Sequence, residues 1–191
     1  MKQHSFLIIH GLGGSGAEHW QTWLAGALRE SGYHVSYPTF PDFDTPFLYD
    51  WLEELEFAVK SIPEGNQLTV VTHSLGCLLW SHYAAKQNER IAHQAILVAP
   101  PSPSKVIPVA KSFYPVPLNQ YDLSKAAENT IFVHSSNDPY CSLEDAKAFI
   151  NLGLPSKILP NAGHINIQSG HGKWQWILEK CLLTVEQAVT I

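Results

Sequence analysis

Residues 70–80 read VVTHSLGCLLW. A run of β-forming residues breaks at His73-Ser74-Leu75-Gly76 and passes into a helical pattern, CLLWSHYAAK. A serine at a tight strand-to-helix turn projects above the edge of a sheet, with its oxygen exposed and its backbone strained. The N–H of Leu75, at the start of the helix, has no partner within that helix. It carries part of the positive end of the helix dipole and can face a developing negative oxygen. Gly76 lets the turn close. The usual pattern for such an elbow is G-x-S-x-G, and here Thr72 stands in its first position. A β-branched side chain there is expected to hold the elbow slightly open. A serine in this place also has a plain structural use, as a helix N-cap.

Moving outward, short apolar runs alternate with helical periods. The runs Phe6–His10, His34–Phe40, Leu68–Thr72, Ala95–Ala99, Ile131–His134 and Ser156–Leu159 are rich in Val, Ile and Leu. They do not alternate with polar residues, which is the pattern of strands buried on both faces of a parallel sheet. Between them, Trp20, Trp23, Leu24, Ala27 and Leu28 form one stripe, with Gly32 as a stop. Leu48, Trp51, Leu52, Leu55, Val59 and Ile62 form a second, ended by Pro63. Trp174, Ile177, Leu178, Cys181, Leu182 and Val185 form a third. The spacing accounts for these tryptophans as core. The alternation predicts a three-layer α/β architecture, and 191 residues predict one domain over 1–191. Residues 99–118 hold six prolines and read as an irregular surface excursion, of a length that is often functional.

Two further strand ends carry chemistry. TIFVHSSNDPY places Asp138 in a turn, and SKILPNAGHI places His164 after Gly163. The order Ser74, Asp138, His164 is that of a nucleophile, an acid and a base on an α/β sheet. Each lies beyond the C-terminal end of its own strand, the edge where such sheets hold their sites. Asp138 also fits a turn residue, since Asn-Asp-Pro favours turns, and His164 also fits a surface loop. His171, between Gly170 and Gly172, is the substitute base. HGLGGSG, residues 10–16, follows the first strand and brings backbone N–H groups toward the elbow. The N–H groups of Leu12 and Leu75 are the expected pair facing an oxyanion. The same glycines could serve a phosphate, but the Gly-Lys-Ser/Thr ending of a P-loop is absent. A dinucleotide reading would want a ribose-binding acid after the next strand, where Asp42 and Asp44 lie nearby.

Composition narrows the class. The chain is 45% hydrophobic and 15% charged with a formal net charge of −5, enough for an ordinary core and against nucleic acid as a partner. FLII near the N-terminus is too short for a signal-peptide core, and no segment approaches ~20 apolar residues. No membrane insertion and a cytoplasmic location are expected. Cys77, Cys141 and Cys181 are odd in number and widely spaced, so reduced, buried thiols are expected. The histidines show no HxxxH or HExxH spacing. Neither a metal nor an organic cofactor is expected.

Taken together, the sequence resembles the compact serine hydrolases of the retinoblastoma-binding-protein/YdeN type, within the α/β-hydrolase superfamily. The resemblance runs over nearly the whole chain. It rests on His10-Gly11, His19-Trp20, PDFDTPFLYDW at 41–51, HSLGC at 73–77, Asp138 before Pro139, and Gly163-His164. It implies a small fold without a lid and catalytic roles for Ser74, Asp138 and His164. The expected sheet has six parallel strands in the order 2-1-3-4-5-6 and no cap domain. The expected activity is cleavage of carboxylic ester, amide or thioester bonds of small to medium acyl substrates through an acyl-enzyme. The alternative is a hydrolase fold weakened at its elbow and acting as a protein-interaction module. Walls for the site are expected from residues 13–16, 42–49 and 100–117. Gly13, Phe113 and Tyr114 are the candidate substrate contacts; Phe113 and Tyr114 fit equally well as anchors of their loop.

Overall fold

In the computed structural model, which describes residues 3–188, six strands form one parallel sheet. They are β1 (His4–Ile9), β2 (His34–Ser36), β3 (Gln67–His73), β4 (Ala92–Val98), β5 (Ala127–Ser135) and β6 (Ser156–Leu159). Their order is β2-β1-β3-β4-β5-β6, the order expected from the sequence. Every neighbouring pair is parallel. The order reverses between β1 and β3, so the loops leaving those two strands open side by side at one rim.

Two layers of helix cover the sheet because successive strand residues point to opposite faces. Phe6 and Ile8 of β1 pack with α1 (Trp20–Glu30) and α6 (Gln175–Ala188), where Trp20, Leu24, Leu28, Ile177 and Cys181 are buried. Leu7 and Ile9 face the other way, toward α2 (Leu48–Lys60), α3 (Leu75–Lys86), α4 (Gln120–Ala126) and α5 (Leu143–Ile150). Helix α3 lies at the centre of that layer. It is apolar nearly all round, and nine of its residues are buried, as expected for a helix enclosed on every side. No described helix is long and apolar enough to cross a membrane.

Three local features differ from expectation. Strand β2 ends at Ser36 rather than running to Phe40. Pro38 has no N–H to give a ladder, and the Phe40 N–H goes instead to His10 Nε2 at 3.0 Å. Helices α4 and α5 have no counterpart in the hydrophobic stripes read from the sequence. Both carry local caps: Asn119 accepts the Tyr121 N–H, and Ser142 with Asp145 forms a capping box. The proline-rich excursion is partly ordered as a 3-10 turn, Pro108–Phe113, with Ala110 and Phe113 buried beneath it.

Candidate active site

Strand β3 delivers Ser74 to the rim. Its φ of 53° and ψ of −123° are strained for a residue with a side chain. The Ser74 N–H holds the Val98 carbonyl at 2.9 Å, and the Ser74 carbonyl accepts from the Cys77 N–H at 2.9 Å. Two glycines make room. A Cβ on Gly76 would lie 2.7 Å from the His10 carbonyl oxygen, and one on Gly11 would lie 2.7 Å from Ser74 Cβ. The close approach is therefore between the elbow and the end of β1. Thr72 points elsewhere: it is fully buried, and its hydroxyl donates to Cys77 Sγ at 3.0 Å. Cys77 in turn donates to the Val98 carbonyl at 3.3 Å. The β-branched residue in the first elbow position is seated on a thiol five residues later. Ser74 makes no N-cap hydrogen bond with its side chain.

The hydroxyl of Ser74 lies 2.9 Å from His164 Nε2. His164 Nδ1 lies 3.0 and 2.9 Å from the two carboxylate oxygens of Asp138. With the proton on Nδ1, Ser74 donates to the ring and the ring donates to the carboxylate. Asp138 also accepts the Tyr140 N–H at 2.9 Å. The loop carrying His164 is knit to the end of β5 by the residues before Asp138. Ala162 N–H donates to Ser135 Oγ at 3.0 Å, Asn161 N–H to Ser136 Oγ at 2.9 Å, and Gly163 N–H to Asn137 Oδ1 at 2.8 Å. Beyond His164, the fully buried Ile165 has a φ of 48°, and the Trp20 indole donates to its carbonyl at 2.8 Å. His171 stands apart, with its Nδ1 at 3.3 Å from Ser169 Oγ and its ring against Trp174.

Further histidines crowd this rim and are neutral by construction. His10 donates from Nδ1 to the Gly11 carbonyl at 2.8 Å while Nε2 accepts the Phe40 N–H. His73 donates from Nε2 to the His164 carbonyl at 3.0 Å. Its ring lies 5.0 Å from those of both His19 and His164. Burial first, then the neighbouring His164 and His19, hold His73 well below the usual histidine range. The same cause places His19 at about 4, with His164, His10 and His171 adding to it.

The cleft above Ser74 has a volume of about 240 Å³. Leu12, Gly14, Ile107 and Tyr140 line it together with His19, His73, His164, Asn166 and Gln168. Neither Leu12 nor Leu75 gives its N–H to another backbone group among the described residues. Three expectations change here. Phe113 is wholly buried, edge-on to Trp51 at 5.4 Å; it anchors its loop, and Ile107 is the residue of that loop that reaches the cleft. Tyr114 is half-buried, with its hydroxyl 3.4 Å from the Ser102 carbonyl. Gly13 gives its N–H to the Phe43 carbonyl at 2.9 Å, and Gly14 takes its place in the wall. The segment 42–49 supports the cleft from behind, through Phe43 against Gly14. His19, His73, Tyr140, Asn166 and Gln168 join the site only in the folded molecule. The His-Trp pair at the start of α1 and the residues flanking Ser74, Asp138 and His164 were the available signals.

A family model described as serine hydrolase matches residues 6–182. The Bacillus subtilis (strain 168) protein YdeN is 37% identical over 70 residues, which are 37% of this chain and 36% of that protein. The match therefore spans about a third of that relative's length. The crystal structure of the B. subtilis ydeN gene product superposes with a TM-score of 0.81 at 20% identity, covering 96% of this chain and 99% of that one. A YdeN-like protein of Pectobacterium atrosepticum gives 0.74 at 20% identity over 96% and 92%. A structure described with the metagenome-derived lipolytic enzymes LipS and LipT gives 0.73 at 16% identity over 97% and 94%. At such identities the solved structures speak for the fold. With the family model spanning nearly the whole chain, the chain belongs to the serine hydrolase family, and its fold is that of the YdeN-type α/β hydrolase structures on which it superposes.

Proposed function

We propose that this protein cleaves carboxylic esters of small to medium acyl groups by nucleophilic catalysis at Ser74. His164 takes the hydroxyl proton as Ser74 attacks the carbonyl, and Asp138 orients the ring and stabilises its charged form. Without such a base the hydroxyl is a poor nucleophile near neutral pH. The N–H groups of Leu12 and Leu75 receive the oxyanion; losing one such donor costs ~10²–10³ in rate. His164 then gives its proton to the leaving oxygen. Water, activated by the same ring, releases the acid and restores Ser74. Amides and thioesters are open to the same sequence of steps.

The observation that carries this reading is the unbroken series Ser74 Oγ, His164, Asp138, each contact within 3.0 Å, on a serine whose φ of 53° serves no local cap. The cleft's volume of about 240 Å³ lies below the usual range for drug-sized ligands and favours short acyl groups. The lipolytic description of a structural neighbour accords with ester cleavage. Thr72, the residue that motivated a non-catalytic alternative, is accommodated by Cys77, so nothing favours that alternative. The test is labelling with a fluorophosphonate probe, alongside hydrolysis of p-nitrophenyl esters of rising chain length. Wild type should label and turn over short esters, and Ser74→Ala should do neither. Labelling that survives the substitution would remove Ser74 from the scheme.

A further inference from the structure

His19 occupies an unusual position for a buried histidine. It is the N-cap of α1, with extended φ and ψ of −69° and 143°, and its Nδ1 accepts the Gln21 N–H at 3.2 Å. A nitrogen that accepts carries no proton, so the neutral ring must carry its proton on Nε2. That atom has no hydrogen-bond partner among the described residues, and His19 is not among those with a further contact. The side chain is nonetheless only 6% exposed and forms part of the cleft wall with Leu12 and Ser74. Along the stack His164–His73–His19, the first ring commits both nitrogens and the second donates to a backbone carbonyl. The third alone in that stack keeps an uncommitted donor.

We propose that His19 is a specificity-determining residue whose Nε2–H donates to a second, uncharged oxygen of the substrate, set apart from the scissile carbonyl. The chemical class is an ester whose acyl chain carries a ketone, ether or hydroxyl oxygen. The ring lies one histidine beyond His164, with 5.0 Å between successive rings, so it stands outside the hydrogen-bonded series Ser74–His164–Asp138. An anionic group is disfavoured there, because no lysine or arginine is among the residues lining the cleft and burial keeps His19 uncharged. Asn166 and Gln168 add neutral polar surface to the same cleft. Nε2 is not among the described side-chain atoms buried without a partner, so it is reachable from the cleft, and a donor with no protein partner there favours the substrate whose oxygen meets it.

This inference rests on Ser74 hydrolysis, and the test separates the two. Matched p-nitrophenyl esters are compared: 4-oxopentanoate against pentanoate, and 5-oxohexanoate against hexanoate. Wild type should prefer at least one oxo ester by roughly three- to tenfold in kcat/KM, expressed mainly in KM, as one neutral hydrogen bond would give. In His19→Asn the preference should fall to about one. Asparagine is among the best N-caps, so α1 keeps its cap and the melting temperature should hold, whereas His19→Ala loses cap and donor together. A purely structural role would lower both members of a pair equally and leave their ratio intact, which overturns the proposal. So does a wild type that shows no preference in either pair while hydrolysing all four esters; the hydrolase reading then stands without it. No hydrolysis above the Ser74→Ala background would overturn both.

Discussion

The two rims of the sheet handle left-handed backbone in opposite ways. Where strands begin, positive φ falls on glycine: Gly32 before β2, Gly65 before β3 and Gly153 before β6, at 84°, 80° and 75°. Where strands end, glycines share it with Asp42, Ser74, Ala99, Asn161 and Ile165, at 45° to 53°. Asp and Asn enter that region at little cost, but Ser, Ala and Ile are held there at of order 1–3 kcal/mol each. The surroundings enforce it. Ser74 and Ala99 are tied to the neighbouring strands by N–H bonds to Val98 and Val133, and Ile165 is held by its own N–H to Ala162 and by the Trp20 indole. The rim that starts the strands has ordinary chemistry instead: His4 on Thr69, and Arg90 and His93 beside Glu128. Among the described residues, strain thus gathers at the edge that presents Ser74 and His164.

The sharpest way to break this contrast is Asp138→Asn. With an amide beside Nδ1 the ring takes the wrong tautomer, and kcat should fall by about 10⁴ while the urea midpoint changes little; ester hydrolysis near the wild-type rate would mean that another acid serves. Next comes acid sensitivity, which both rims should share. Burial lowers His4, His19 and His134 to about 4, with His93 adding to the effect at His4 and Asp138 opposing it at His134. In the unfolded chain these rings titrate near 6.5, so between pH 6.5 and 4 the unfolded state binds more protons. The stability they contribute is whole above pH 6.5 and is lost as pH falls toward 4, by about 1.4 kcal/mol per pH unit per histidine at most. Urea unfolding across this window should show the slope. His4→Gln at one rim and His19→Asn at the other should each flatten it. The smallest effects on stability are a pair of opposite sign. Ser74→Gly should abolish turnover yet raise stability by about 1 kcal/mol, since relief of strain exceeds the added freedom of the unfolded chain. Gly65→Ala should lower stability by about 1 kcal/mol and leave kcat alone. A Ser74→Gly protein less stable than wild type would show that the rim is not strained at that residue.

Much of this arrangement is legible in the sequence because its signals are local. Each strand is a short apolar run; Ser74 follows one at once, and Asp138 and His164 lie in the loops that leave two others. What escapes is set by contacts between distant segments. Phe113 looks like a pocket aromatic until Trp51, far earlier in the chain, is found against it. Strand β2 reads as running to Phe40 because its residues are β-formers. Its true end depends on Pro38 and on His10, which captures the Phe40 amide. His19 and His73 belong to short motifs in the sequence, but their place in the cleft wall emerges only when α1, β3 and the loop after β6 meet. Helix α5 is the exception, since Ser142 and Asp145 advertise its start locally and the stripes that identified longer helices are too short there to register.

The Thr72–Cys77 contact bears on how relatives of this chain are recognised. A motif filter that demands glycine two residues ahead of the reactive serine would discard this sequence. The packing requires only that extra bulk at that point be absorbed by a complementary partner in the first turn of α3. Exchanging the cysteine for a residue that accepts no hydrogen bond would strand the buried Thr72 hydroxyl, whereas exchanging the threonine would leave the thiol its bond to the Val98 carbonyl.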